Sequence, residues 1–247
     1  MLDIDQNIII LVFVAIFSGG LVKGTLGVGM PMLAVPIIAF VLPPTKAMIL
    51  LCFPILCSNF LQMNIHKGIG SYRFLPLTIM LILGLIIGGR LIVEIEMSTI
   101  SIIIALSIIL AAIINLFGIK FKNIKPNHEK PFTMILGFFS GILGGFSTFF
   151  GPPILAYLIS VDLEKESFVR TISVMYFVGG IILYSSLLYH GLGTLNDLYL
   201  SALMTLPAMI GLYFGTKIRK KISSNLFRKF ILTMLIIVGF SLLIQNI

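Results

Sequence analysis

Residues 17–35 (FSGGLVKGTLGVGMPMLAV) and 139–157 (FSGILGGFSTFFGPPILAY) carry the same interruption at the same place in an apolar run. Overlaid without a gap, they agree at Phe17/Phe139, Ser18/Ser140, Gly19/Gly141, Leu21/Leu143, Gly29/Gly151, Pro31/Pro153, Leu33/Leu155 and Ala34/Ala156. Each copy reads as an apolar helix that dissolves into Gly, Ser and Thr, meets Gly-x-Pro and restarts as a short apolar helix. Glycine and proline inside a continuous hydrophobic run break a helix at a cost. The same break in two places implies a fold built around two broken helices.

The medium follows from composition. Of 247 residues, 58% are hydrophobic and 11% charged, where a soluble domain carries about 25% charged residues. Several runs approach the ~20 apolar residues that cross a bilayer core. The chain reads as an all-α integral membrane protein. Its start, MLDIDQN, lacks a basic n-region, so the first apolar run is expected to be retained. The net charge of +8 resides in a few short loops, where it orients a membrane protein and calls for no nucleic-acid partner. Cys52 and Cys57 share one apolar run, and His66, His128 and His190 lie in or beside loops. Neither set reads as a metal site, and no cofactor is implied. A nucleotide-binding loop, HExxH and a Ser/His/Asp grouping are all missing, so no enzyme is expected.

The apolar segments are 7–26, 30–42, 47–65, 74–93, 99–119, 132–150, 152–160, 168–189, 195–216 and 226–244. Five precede the basic stretch 120–131 and five follow it, giving a first repeat over 1–119, a linker over 120–131 and a second repeat over 132–247. The second segment of each set is too short to span, at roughly 20 and 14 Å of helix. Segments one-two and six-seven are therefore expected to form broken hairpins, tolerated only where protein or a water-filled cavity surrounds them. Lys67 and Arg73, then Lys120, Lys122, Lys125 and Lys130, then Lys217, Arg219, Lys220, Lys221, Arg228 and Lys229 mark three cytoplasmic loops. Lys46 falls outside as an exception, and both termini fall outside. Five segments is an odd number, so the second repeat starts on the opposite side from the first and the topology is inverted. Further matches are His66-Lys67-Gly68-Ile69-Gly70 with Tyr189-His190-Gly191-Leu192-Gly193, and Gly84-x-x-x-Gly88-x-Arg90 with Gly211-x-x-x-Gly215-x-Lys217. Inverted repeats with breaks at corresponding positions point to a secondary transporter and to its binding site.

The expected site lies at the two breaks. The first supplies Lys23, Gly24, Thr25, Gly27, Gly29 and Pro31. The second supplies Gly144, Gly145, Ser147, Thr148, Gly151, Pro152 and Pro153. Backbone N–H groups at a restarting helix, the helix dipole, and the hydroxyls of Thr25, Ser147 and Thr148 suit an anion. The competing reading is that these small residues serve close helix packing. Lys23 reads as a positive partner for the anion or as a snorkelling side chain; Gly145 stands at its aligned position. Asn59, with Ser58 and Gln62, lines the pathway or bonds a neighbouring helix. No Asp or Glu falls in the middle of any segment, although intramembrane carboxylates are usual in proton- and sodium-coupled carriers.

The glycine-rich first helix leading into G-x-P, the H-x-G-x-G-like turn, the G-x-x-x-G-x-[RK] helix end and the repetition after a basic linker resemble the TauE/SafE sulfite exporter-type family of small bacterial and archaeal transporters. The resemblance covers essentially the whole chain. It implies export of a small anion such as sulfite, thiosulfate or a sulfonate across the plasma membrane by alternating access. Members usually carry a denser glycine run before G-x-P; here Phe149-Phe150 replaces it in the second copy, and Gly27-Val28 is what stands in the first. The expected partners are a small-molecule anion and membrane lipid, and a homodimer fits the reading. Two other functions fit the same residues: a channel or uptake carrier for a cation or neutral metabolite, and a non-transporting membrane scaffold.

Overall fold

The computed structural model describes residues 6–63, 72–117, 124, 126–161, 163 and 165–218, with single positions 233, 236, 240, 243 and 244 beyond them. The ordered elements among them are helices: α1 (Gln6–Leu26), α2 (Met30–Ala39), α3 (Pro44–Ile49), α4 (Cys52–Met63), α5 (Leu75–Leu91), α6 (Met97–Leu116), α7 (Pro126–Ser147), α8 (Gly151–Ser160), α9 (Lys165–Tyr189) and α10 (Leu195–Ile218). Single 3-10 turns, Tyr72–Phe74 and Ile92–Glu94, flank α5. Five stretches are long and apolar enough to cross a membrane, namely Gln6–Leu26, Pro44–Met63, Tyr72–Glu94, Ser167–Tyr189 and Leu195–Ile218. The chain is a multi-pass membrane protein. The expected tenth segment, 226–244, lies outside the described residues except at the single positions.

Local chemistry sets the boundaries. The stretch 47–65 was expected as one helix, but it starts earlier, at Pro44, and divides into α3 and α4 at Leu50–Leu51. Pro44 suits a first turn, and Pro54 has no N–H to offer the Leu50 carbonyl, which opens the ladder there. α7 begins at Pro126, so part of the basic stretch expected as linker is its first helical turns. The second legs α2 and α8 have ten residues each, about 15 Å. Neither can span a bilayer alone, as their sequences imply.

Three helix pairs carry the packing. A Cβ on Gly84 would lie 2.9 Å from the Gly141 Cα, and one on Gly88 would lie 3.0 Å from the Gly145 Cα. The contact positions rise together along both chains, so α5 and α7 run parallel with their backbones touching. α1 and α10 do the same: Gly20 meets Ala208, and a Cβ on Gly24 would lie 2.9 Å from the Gly215 Cα. The Gly-x-x-x-Gly motifs are thus the seams between helix pairs, where small residues admit close van der Waals approach. α4 crosses α9 in the opposite sense: Phe60 stacks on Phe177 with ring centroids 5.8 Å apart, while Gly180 faces Leu56 and Ile55. Fully buried Ile16, Met30, Ile38, Met48, Leu81 and Leu85 fill the interior, and Ile10, Val14, Ile79 and Ile86 face outward.

Ion pairs tie down two helix starts. Lys46 lies 3.3 Å from Asp197, whose carboxylate accepts hydrogen bonds from the Thr194 N–H and hydroxyl at 3.0 and 2.7 Å. The Asp197 N–H returns a bond to the Thr194 hydroxyl, a reciprocal cap on α10. Lys46, the exception in the loop-charge pattern, is a paired cation. Arg73 and Tyr157 both bond Glu129, described below.

The seams make a prediction. Gly84→Val drives a branched side chain into the α7 backbone and is expected to cost about 1–3 kcal/mol or more, as overpacking does. Thermal melts in detergent should show a clear fall in midpoint for Gly84→Val beside no resolvable change for Ile135→Val on the exposed face. Equal midpoints would contradict backbone contact at this seam.

Candidate functional site

The first hairpin tip joins α1 to α2 through Gly27 and Gly29, whose φ angles of 88° and 103° lie in the left-handed region. Glycine reaches that region without a Cβ clash. The Gly27 N–H still bonds the Lys23 carbonyl at 2.7 Å, and after Gly29 the chain restarts at Met30-Pro31. The second tip turns differently. Thr148, a β-branched residue, has a φ of 64°, a conformation that costs free energy and persists only where the surroundings hold it. Its N–H bonds the Gly144 carbonyl at 2.7 Å.

The hydroxyls at the tips are engaged with backbone. Thr25 lies 2.8 Å from the Leu21 carbonyl and 3.2 Å from that of Gly215. Ser147 donates to the Leu143 carbonyl at 2.7 Å and accepts the Phe149 N–H at 3.2 Å. Thr148 donates to the Ser147 carbonyl at 2.5 Å. Backbone donors are also fewer in the second copy, since Pro152 and Pro153 remove two of the four N–H groups that a helix start leaves open. Gly24 and Gly145 face the glycines of α10 and α5, so they bring the tips against their neighbours.

Lys23 and Asn59 stand apart. Lys23 is 3% exposed and Asn59 1%, and the lysine Nζ donates to the asparagine Oδ1 at 2.6 Å. Among the described residues, Asn59 Nδ2 is buried without a hydrogen-bond partner, as is Gln62 Oε1 one turn further along α4. The bond joins α1 to α4, two helices that the sequence offered no reason to pair.

Tyr176 of α9 is the residue that sequence reasoning missed. A Cβ on Gly151, where α8 restarts, would lie 2.7 Å from its Cζ and collide with its hydroxyl. Its ring meets Phe150 edge-on, with centroids 5.1 Å apart. Phe150 lies over Gly144 and Gly179, and it and Phe149 are buried, so the rings that replace the glycine run close the tip from within. A tyrosine mid-helix, where phenylalanine would pack as well, was the available signal. Asn59-Phe60 and Tyr176-Phe177 are neighbours in sequence, and Phe60 stacks on Phe177. The α4–α9 crossing therefore connects the Lys23 end of one hairpin to the Gly151 end of the other.

The base of the second hairpin is fastened by Glu129. Arg73 Nη2 and Nε lie 2.6 and 2.8 Å from Glu129 Oε1, and the Tyr157 hydroxyl donates to the same oxygen at 2.5 Å. Phe74 and Phe132 pack on the Tyr157 ring. Among the described residues, no group of three or more His, Cys, Asp or Glu is gathered as a metal site would be.

The family model described as Sulfite exporter TauE/SafE matches residues 11–242. No curated protein and no solved structure matches the chain.

The Glu129 cluster titrates predictably. Partial burial pushes its carboxyl up, but hydrogen bonds from Tyr157 and Arg73 and the Arg73 charge outweigh this and hold it below its ordinary 4.5. A depressed folded value stabilises above the ordinary one and is lost as pH falls through it. Wild-type protein should lose thermal stability on acidification below about 4.5, and Glu129→Gln should start lower at neutral pH and lose less. Parallel acid profiles for the two proteins would contradict this role.

Proposed function

We propose that this chain, which belongs to the TauE/SafE sulfite exporter family, is a secondary transporter that exports sulfite or a related small anion such as thiosulfate or a sulfonate. Its binding site lies where the two hairpin tips approach the α4–α9 crossing. The observation that carries the reading is the pair of broken hairpins, left-handed at Gly27 and Gly29 in one and at Thr148 in the other, linked through Asn59-Phe60 and Phe177-Tyr176. Breaks of this kind are sustained in a bilayer where they line a cavity within protein.

The sign of the ligand follows from what surrounds it. The described tips bring Lys23, the Asn59 amide and the backbone N–H groups of restarting helices, and no carboxylate. The inverted arrangement of the halves is supported by exchanged packing: α1 runs parallel to α10, as α7 runs parallel to α5, and α4 crosses α9 antiparallel. Such halves place a shared site near the bilayer centre and open it to either side in turn, by movement of the hairpins against the remaining helices. The plasma membrane, with both termini outside, is the location this topology implies.

Proteoliposomes test the reading directly. Wild-type protein should move sulfite down an imposed gradient. Combined replacement of Gly29, Thr148 and Gly151 by leucine, in protein that still elutes as a single detergent-solubilised species, should reduce the flux at least tenfold. Undiminished flux would overturn the placement of the site, and no sulfite or sulfonate flux from wild-type protein would overturn the function.

A further inference from the structure

We propose that Lys23 and Asn59 form the charge-reading pair of this carrier and set its ligand as a singly charged oxyanion. The inference rests on the anion-carrier reading above and adds to it which residues choose the charge.

A lysine ammonium has three donors, and the structure gives Lys23 one hydrogen-bond partner, the neutral Asn59 Oδ1 at 2.6 Å. The amide that accepts this bond has its own Nδ2 buried without a partner among the described residues. Both side chains are almost fully buried in this arrangement of the helices. A buried charge is ordinarily compensated by an opposite one. The carboxylates whose contacts the structure gives are engaged elsewhere, Asp197 with Lys46 and Glu129 with Arg73. The nearby cation Lys217, two residues past the Gly24–Gly215 contact, sits over the Tyr213 ring at 4.3 Å. What remains at Lys23 is an excess of donors with no carboxylate paired to it among the described residues.

That inventory describes its complement. An oxyanion brings acceptors for the lysine and for Asn59 Nδ2 together. A single negative charge cancels the lysine, and the neutral pair can cross the low-dielectric region; a second charge would be left uncompensated. A cation meets repulsion, and a neutral solute leaves the ammonium unpaired. Gln62 Oε1, a buried acceptor without a partner among the described residues one turn along the same face of α4, favours a monoanion that keeps a proton of its own, such as hydrogensulfite. Gly145 at the position aligned with Lys23 makes the charge reading one-sided within a duplicated frame.

Ligand-induced thermal shifts of the purified full chain test the pair, with methanesulfonate as the monoanion probe and sulfate as the dianion. Wild-type protein and Lys23→Arg should be stabilised by methanesulfonate and not by sulfate at equal concentration, and Lys23→Met should lose the shift. Asn59→Asp is the decisive variant, because it places a carboxylate beside Lys23 where the ligand's charge would sit. It should melt higher than wild type without ligand, showing that it folds, and should lose the methanesulfonate shift. A full methanesulfonate shift in folded Asn59→Asp or Lys23→Met, or an equal shift from sulfate in wild type, would overturn the pair as the charge reader while leaving the carrier reading to the flux measurement. No shift from methanesulfonate or sulfite in wild-type protein, together with sulfite flux in proteoliposomes, would likewise overturn the pair.

Discussion

A peptide group facing lipid has no water to bond, so a chain that interrupts its helices in a bilayer must bury each interruption in protein or let it line a water-filled cavity. The architecture answers to that constraint. The left-handed turns at Gly27, Gly29 and Thr148 end helices whose backbones lie close against their neighbours. The approach is made by glycines: Gly84 and Gly88 against Gly141 and Gly145, and Gly24 against Gly215. Hydroxyls at the breaks engage neighbouring carbonyls, with Thr25 near those of Leu21 and Gly215 and Ser147 bonded to that of Leu143. Small residues at these breaks therefore serve two purposes. Those on the seams seat the hairpins, and those at the tips shape the chain reversal.

Much of this was legible in the sequence. The duplicated Gly-x-Pro reported the breaks because proline and glycine act on the backbone directly. Ten apolar residues cannot span a bilayer whatever follows them, so α2 and α8 were readable as short legs. Tertiary partners were not readable. Nothing local in Lys23 names Asn59, thirty-six residues away, and nothing in Tyr176 names Gly151. Both contacts exist because α4 and α9 cross, which is a property of the whole chain. The seam glycines were visible as motifs, but their partners were not, and Lys46 looked like an exception until Asp197 stood beside it. The split of α3 from α4 needed attention to Pro54, whose missing N–H acts one turn upstream.

The proposed site combines a duplicated sequence frame with asymmetric chemistry. Both copies keep glycine before the restart, yet one break carries a lysine and the other a glycine at the aligned position, and one runs through Gly27-Val28 where the other has Phe149-Phe150. The alternating access proposed here needs two arrangements of nearly equal free energy, which inverted halves would supply. Selectivity needs a charge and a shape, and a single copy of each is enough. In the proposed site, the buried phenylalanines and Tyr176 would restrict volume on one side, while Lys23 and Asn59 would provide donors on the other.

The central claim is that both tips border one solvent-reachable anion site. Thr25→Cys and Thr148→Cys, each in a background with Cys52 and Cys57 replaced by serine, can be treated with a small charged thiol reagent in proteoliposomes. Both cysteines should react, and methanesulfonate should slow both reactions together. Cysteines that stay unreactive, or a ligand that protects neither, would contradict a shared site at the hairpin tips.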